Sequence, residues 1–249
     1  MTARILLPLT GLIFAAALWA AGGLLMAQAT PIAAHFAPLE ALRALGRLLF
    51  TLMFWEHIIV SLQRVGVGLI FALVFGVPLG ILTGISRSFA QATTPLFQFL
   101  RMISPLSWMP IAVMVLGVGD APVYFLLAFA AVWPILLNTA AGVAQLDRNW
   151  LLLARSLSAT RYETICRLII PGITASILSG VRLAIGIIWI VLVPAEMLGV
   201  SAGLGYFILD ARDRLAYPDL MAAILVIGCL GFLLDHFARW LHCRWTHGG

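Results

Sequence analysis

Long apolar runs separated by short charged stretches organise this chain. A membrane-crossing helix needs about 20 mainly apolar residues. Six runs reach that length, at about 5–28, 57–85, 95–117, 121–144, 168–199 and 218–240. The pattern predicts an all-α polytopic membrane protein with about six transmembrane helices. It shows no internal repeat and no linker long enough to divide residues 1–249, so one membrane domain is expected. Between the first two runs, Leu39, Leu42, Leu45, Leu49 and Met53 recur at helical spacing, with Arg43 and Arg47 on another face. That spacing predicts an interfacial amphipathic helix, or a long exposed start to the second span. The first run has a rival reading. Arg4, an apolar stretch and "MAQA" look like a secretory signal, but the stretch is long for one and further spans follow, which favours a retained helix.

Composition agrees with the pattern. The chain is 63% hydrophobic and 10% charged, with mean hydropathy +1.07. A soluble domain carries about 25% charged residues. Such a chain cannot cover a water-facing surface. All the basic residues are arginine, and without lysine no phosphate-binding loop G-x-x-x-x-G-K-[ST] can exist. ATP and magnesium, if they drive this protein, are expected on a partner chain, with no cofactor on this one. The net charge of +5 is too dispersed for a nucleic-acid patch. Cys166, Cys229 and Cys243 form no pair or motif, and the five histidines are scattered, so neither a metal site nor a catalytic site is expected.

Arginine placement sets orientation. With six spans both termini share a side, and that side collects Arg4, Arg87, Arg148, Arg155, Arg161, Arg167, Arg239 and Arg244. The other collects Arg43, Arg47, Arg212 and Arg214. The termini, and the stretch between spans four and five, are therefore expected in the cytoplasm.

That stretch, residues 147–165, is charged and helix-forming between two nearly uncharged spans. "DRNWLLLARSL" predicts a first short helix, and "SLSAT" interrupts it. Thr160 and Glu163 make a T-x-x-E capping box, which predicts a second short helix from Thr160. Pro171 is then expected to open the fifth span, where proline is tolerated. Two short helices and a turn would project from the membrane. An amphipathic loop resting on lipid headgroups is the other reading of the same residues.

The spacing resembles the cytoplasmic motif of ABC importer permeases: E-A-A, three residues, glycine, nine residues, I-x-L-P. Counting back from Pro171, Leu152, Leu153 and Ala154 stand at E-A-A, Ser158 at the glycine, Leu168 at the isoleucine and Ile170 at the leucine. The leading glutamate is absent. "SLQRVGVGLIFALVFGVPLGILTGIS", "LRMISPLSWMPIAVMVLGVGD", "WPILLNTAAGV", "GVRLAIGIIWIVLVPAEMLG" and "GLGYFILDA" extend the resemblance over residues 57–240. They are similar to the nitrate, sulfonate, taurine and bicarbonate branch of that family. The resemblance implies a bacterial inner-membrane permease that pairs with a second copy, two ATPase subunits and a periplasmic or lipid-anchored binding protein. It also implies that residues 147–165 form the coupling helix, with Arg148, Ala154, Arg155, Leu157, Ser158, Thr160, Arg161, Glu163 and Pro171 as its candidate residues. Ser158 lacks the freedom of glycine at positive φ, and the capping box is the alternative device for the break.

Charged residues at membrane depth are functional candidates by default. Arg64, Arg101, Arg182 and Glu196 lie within or near spans. An arginine there is either the electropositive element of an anion path or a structural clamp. Arg182 and Glu196 face roughly one way, about 21 Å apart along a helix, too far to pair. Glu196 could pair with an arginine or hold a loop. "SPLSWMP" predicts a broken third span, because Pro105 and Pro110 each remove a helix hydrogen bond. Non-helical backbone at depth lines protein or a water-filled cavity. Arg101, Ser104, Ser107, Trp108, Asn138, Arg182 and Glu196 are the translocation-path candidates. Asp210, Arg212, Asp213 and Arg214, in a short loop on the opposite face, are the binding-protein candidates; a solvated loop is the plainer reading. The rival for the whole chain is an ATP-independent secondary transporter or channel, which would show inverted repeats and paired ionisable groups. Neither is visible.

Overall fold

The computed structural model describes residues 10, 11, 14, 16–23, 25 and 36–246, leaving out the side chains of Arg148, Leu151, Arg155, Leu241, His242, Trp245 and Thr246. Among the described residues there are helices and turns and no strands. The described positions from 10 to 25 are helical, and the rest of the predicted first span lies outside the described residues.

From Phe36 onward the helices are α1 (Pro38–Leu48), α2 (Leu52–Ile85), α3 (Arg87–Met102), α4 (Met109–Leu116), α5 (Asp120–Ala144), α6 (Arg148–Ser156), α7 (Ile170–Met197), α8 (Leu204–Asp213) and α9 (Tyr217–Thr246). Among the described residues, four helical stretches are long and apolar enough to cross a bilayer: Leu52–Ile85, Asp120–Ala144, Arg161–Met197 and Tyr217–Trp240. The third predicted span is not a single rod. It is the pair α3 and α4, bent by 88°, and it makes a fifth crossing if the pair counts as one.

The chain forms two compact units, one of residues up to Ile59 with Ala202–Cys229, the other of Val60–Ser201 with the residues from Leu230. In the first, α1 is amphipathic as predicted, but with a different inner face. Ala41 and Ala44 are buried, while Leu39 and Leu42 point outward. Small residues allow close approach to protein, and leucines left outside suit lipid. Leu49 and Met53 fall beyond α1.

The second unit is built on α2, α5 and α7. Glycines on α2 meet bulky residues on α5 in one constant register: Gly68 with Leu127, Gly76 with Ile135, Gly80 with Thr139, Gly84 with Val143. A constant offset means the two helices run parallel. A Cβ at Gly80 would lie 2.6 Å from the Thr139 Cβ, and one at Gly84 2.5 Å from the Val143 Cβ, so only glycine fits this seam. α7 packs on α5 antiparallel, with Gly180 against Pro134 and Ile135, and Gly142 against Ser176. Leu126, Leu127, Ile135, Ile188 and Leu192 fill the centre, and Ile81, Val143, Ile169 and Ile173 close one end. In lipid, helix association rests on such close packing rather than on the hydrophobic effect.

The bend has a local cause. A residue before proline is pushed out of the helical region, and Ser104, before Pro105, is extended at ψ 127°. Pro105 then starts a single 3₁₀ turn and Pro110 lies in the first turn of α4. Both prolines therefore open helices rather than removing interior hydrogen bonds, contrary to expectation. Interior prolines are Pro78, Pro95, Pro134 and Pro194.

Candidate functional site

Residues 147–165 start with Asp147, whose carboxylate accepts the Asn149 N–H at 2.9 Å and so caps α6. α6 ends in a Schellman turn: the Ala159 N–H reaches back to the Ala154 carbonyl at 2.9 Å. Ser158 sits at its left-handed position, φ 55°, the place glycine usually takes. Thr160 then caps the next helix. Its Oγ1 accepts the Glu163 N–H at 3.2 Å, and a Glu163 oxygen accepts the Thr160 N–H at 2.9 Å. Both break devices are thus used, one after the other. These bonds from Thr160 backbone and hydroxyl, aided by Arg167, hold the Glu163 carboxyl below the usual carboxylate range.

The predicted second short helix is not separate. Helical backbone continues from Arg161 to Met197, in which Thr164–Ile169 is a π turn. Pro171 has no N–H, and its ring would crowd the carbonyl four residues back. Pro171 stands in the first turn of α7, as expected, but the wider π turn just before it joins α7 to helical backbone rather than to a loop. At 1.5 Å per residue the 37-residue rod is about 55 Å long. The hydrocarbon core is about 30 Å thick, so part of the rod must lie outside it, and Arg161, Glu163 and Arg167 make its N-terminal end the charged one. Trp150, Leu153 and Ala154 on α6, with Leu157 just past its end, face Glu163, Thr164 and Leu168 across a shallow cleft. Leu157 and Trp150 are 73% and 56% exposed, and Arg161 and Tyr162 also point outward. The side chains of Arg148 and Arg155 lie outside the described residues.

Around the bend, Arg101, Ser104 and Ser107 are exposed. Trp108 packs on Phe129 at 5.6 Å, and Phe129 on Trp133 at 5.4 Å. The indole N–H groups of Trp108 and Trp133 are buried without a hydrogen-bond partner among the described residues. Asn138 is half-buried, and its amide donates to the Pro134 carbonyl at 2.8 Å within α5.

Two charge clusters occupy the second unit, and sequence spacing shows neither. In the first, Arg64 donates to Glu196 at 2.7 Å and to Asp120 at 2.6 Å, while the Ser61 hydroxyl lies 2.8 Å from Glu196. Arg64 is 2% exposed and Glu196 0%. The cluster ties α2, α5 and α7 together at one end, with one guanidinium facing two carboxylates. Glu196 is thus packed away inside protein, and Arg64 is a clamp between carboxylates. In the second, Asp235 on α9 pairs with Arg239 at 2.6 Å and with Arg182 on α7 at 3.3 Å.

Asp210, Arg212, Asp213 and Arg214 lie on α8 and its C-terminal cap, where a loop was expected. Arg214 pairs with Asp210, and Arg212 with Asp213 at 2.8 Å, all on the surface. In the same unit His57 is 6% exposed, and its Nδ1 accepts the Gly203 N–H at 3.1 Å just before α8. Cys166, Cys229 and Cys243 are exposed in the isolated chain, with no disulfide among the described residues.

The fold is that of a polytopic all-α membrane protein with a charged helical segment between two of its candidate spans. The chain belongs to the family described as binding-protein-dependent transport system inner membrane component, which it matches over residues 76–247. It is 40% identical over 195 residues to the bicarbonate transport system permease protein CmpB of Synechococcus elongatus, covering 78% of this chain and 69% of that one. It is 36% identical to the nitrate import permease protein NrtB of Leptolyngbya laminosa, covering 77% and 68%. It is 33% identical to the taurine transport system permease protein TauC of Escherichia coli, covering 78% and 71%. Its fold is similar to a chain of the inward-facing MetNI methionine ABC transporter, with TM-score 0.63 and 12% identity over 78% of this chain and 97% of that one.

Proposed function

We propose that this chain is the permease of an ATP-driven importer for a small oxyanion: bicarbonate, nitrate or an organic sulfonate such as taurine. Its likeness to permeases named for these three cargoes carries the substrate class. The bilayer is its medium, with an inner-membrane location and both termini cytoplasmic. Two ATPase subunits hold the ATP and magnesium, a second copy of this chain completes the path, and a soluble or lipid-anchored binding protein delivers cargo. Asp210, Arg212, Asp213 and Arg214 contribute to that delivery surface.

Residues 147–165 serve as the coupling element. Its support is mechanical. α6 is anchored at both ends, by the Asp147 cap and by the Schellman turn into the Thr160 capping box. A push on α6 therefore passes into the Arg161–Met197 rod with little slack. The exposed Leu157 and Trp150 supply an apolar grip, and the neighbouring charges fix register.

The test is ATP hydrolysis by the assembled complex in lipid, with the binding protein loaded in turn with nitrate, taurine, an alkanesulfonate and bicarbonate. One loaded form is expected to stimulate the wild type. The double variant Arg155→Glu, Leu157→Asp is expected to be uncoupled or to lose its ATPase. A variant that assembles and responds like wild type would make the segment a surface loop only.

A further inference from the structure

The two charge clusters carry opposite balances. Around Arg64 one buried guanidinium meets two carboxylates, Glu196 fully buried and Asp120 half exposed. Around Asp235 one carboxylate meets two guanidinium groups, and all three side chains are partly open, 42% for Arg182, 37% for Asp235 and 43% for Arg239. Asp235 is engaged mainly with Arg239, at 2.6 Å, and holds Arg182 loosely through one Nε contact at 3.3 Å. It cannot neutralise both. The Arg239 Nε–H is also buried with no acceptor among the described residues. A positive excess on apolar helices, with a buried charged donor left unsatisfied, is costly until an anion arrives. The packing holds the site in place: Gly231, one turn before Asp235, abuts Trp189 on α7, where a Cβ would lie 2.6 Å from the indole nitrogen.

We propose that Arg182, Asp235 and Arg239 form an oxyanion-binding site, with Asp235 as the resident counter-ion that an incoming anion partly displaces. The site rests on the reading of the cargo as a small oxyanion. Its chemistry is shared by such cargo and by a lipid phosphate headgroup. Guanidinium groups suit both, because their fixed N–H forks match planar or tetrahedral oxyanions.

The test uses the complete importer in phosphatidylcholine vesicles, comparing uptake of nitrate, bicarbonate and taurine with ATP hydrolysis. Arg182→Gln and Arg239→Gln are each expected to cut uptake at least about tenfold, while hydrolysis stimulated by the loaded binding protein stays within about twofold. Asp235→Asn leaves both guanidinium groups unneutralised, so the same anion inside the vesicle should inhibit uptake at about tenfold lower concentration. A deficit that high cargo concentration relieves assigns the site to cargo. A deficit that cargo concentration does not relieve, and that grows when anionic phosphatidylglycerol replaces zwitterionic phosphatidylcholine, assigns it to headgroup phosphate. Glutamine variants that transport like wild type in both lipids overturn the site, and so does a parallel loss of uptake and hydrolysis, which marks a structural clamp. If the wild type moves none of the three substrates, the oxyanion reading fails with it. If it moves one and the variants move it equally, only the site fails.

Discussion

Arg64 and Glu196 lie 132 positions apart in the chain and meet at 2.7 Å, with neither exposed. Removing one side of a buried ion pair typically costs about 3–5 kcal/mol. Arg64→Met takes the guanidinium from the fully buried Glu196 and should lower thermal stability in detergent by that order, whereas Glu196→Leu should cost less because Arg64 keeps Asp120. The double variant should recover much of the Arg64→Met loss, because the carboxylate that remains, Asp120, is 52% exposed. A double-mutant cycle on melting curves measures this, and additive losses would show that the pair is not coupled.

The glycine seam between α2 and α5 makes a steric prediction. At Gly80 an added methyl would meet the Cβ of Thr139 at 2.6 Å and the Leu136 carbonyl at 2.7 Å. Neither is the flexible end of a side chain. Gly80→Ala should cost about 1–3 kcal/mol as overpacking, despite alanine's higher helix propensity. Gly66→Ala on the same helix meets nothing within 4 Å and should be neutral or slightly stabilising. Equal melting shifts for the two variants would contradict the packing.

Glu163 gives a pH dependence. Its folded carboxyl titrates below its ordinary value because Thr160 hydrogen-bonds the charged form. The capping contribution is therefore present above the unfolded carboxyl's value of about 4.3. It is lost as pH falls through the lower folded value. Amide-exchange protection of Thr160 should drop in that acidic window for the wild type. Glu163→Gln should remove the step, and an unchanged profile in the variant would place the control elsewhere.

How much of this was readable in advance depends on distance along the chain. Local devices were legible. The Thr160 and Glu163 box forms as its spacing implies, and Ser104 turns the chain because Pro105 follows it. "GVPLGILTG" carries glycines at 76, 80 and 84, a spacing that marks a helix-packing face and that could have been read as one. Its partner helix could not, since nothing near those glycines names Thr139 or Val143. The charge clusters were illegible for the same reason. Arg182 and Glu196 share a helix and a rough facing, yet one binds Asp235 and the other Arg64, because separate helices arrive at the two levels. Pro171 falls in the first turn of α7 as read, but the helical backbone running into it was not legible, because a π turn is a property of backbone geometry with no fixed residue signature.

His57 orders the approach to α8. Its Nδ1 accepts the Gly203 N–H, so its own proton sits on Nε2. Phe207 and Tyr206 stack nearby at 5.5 and 6.1 Å. His57→Leu removes the acceptor and leaves a buried N–H unsatisfied, at about 1–3 kcal/mol. His57→Asn keeps an acceptor near the same place and should lose less. Hydrogen exchange over residues 202–206 should rise in the order wild type, Asn, Leu. Exchange that does not distinguish Asn from Leu would reduce His57 to a packing residue.

Ser158 tests whether the break in the projecting segment is mechanical. At φ 55° its Cβ crowds the backbone, which costs a non-glycine residue about 1–2 kcal/mol. Glycine relieves that strain but adds freedom to the unfolded chain, so Ser158→Gly should gain about 1 kcal/mol or slightly less, net of that entropy. Ser158→Val cannot take this conformation without more strain and should unwind the turn between α6 and Thr160. Stability changes alone would only describe the turn. The informative measurement is uptake per ATP hydrolysed by the assembled importer. With α6 and the long rod linked rigidly through this turn, the Gly variant keeps the wild-type ratio and the Val variant lowers it, even at temperatures where both remain folded. A Val variant with a normal ratio would mean that force reaches the rod by another route.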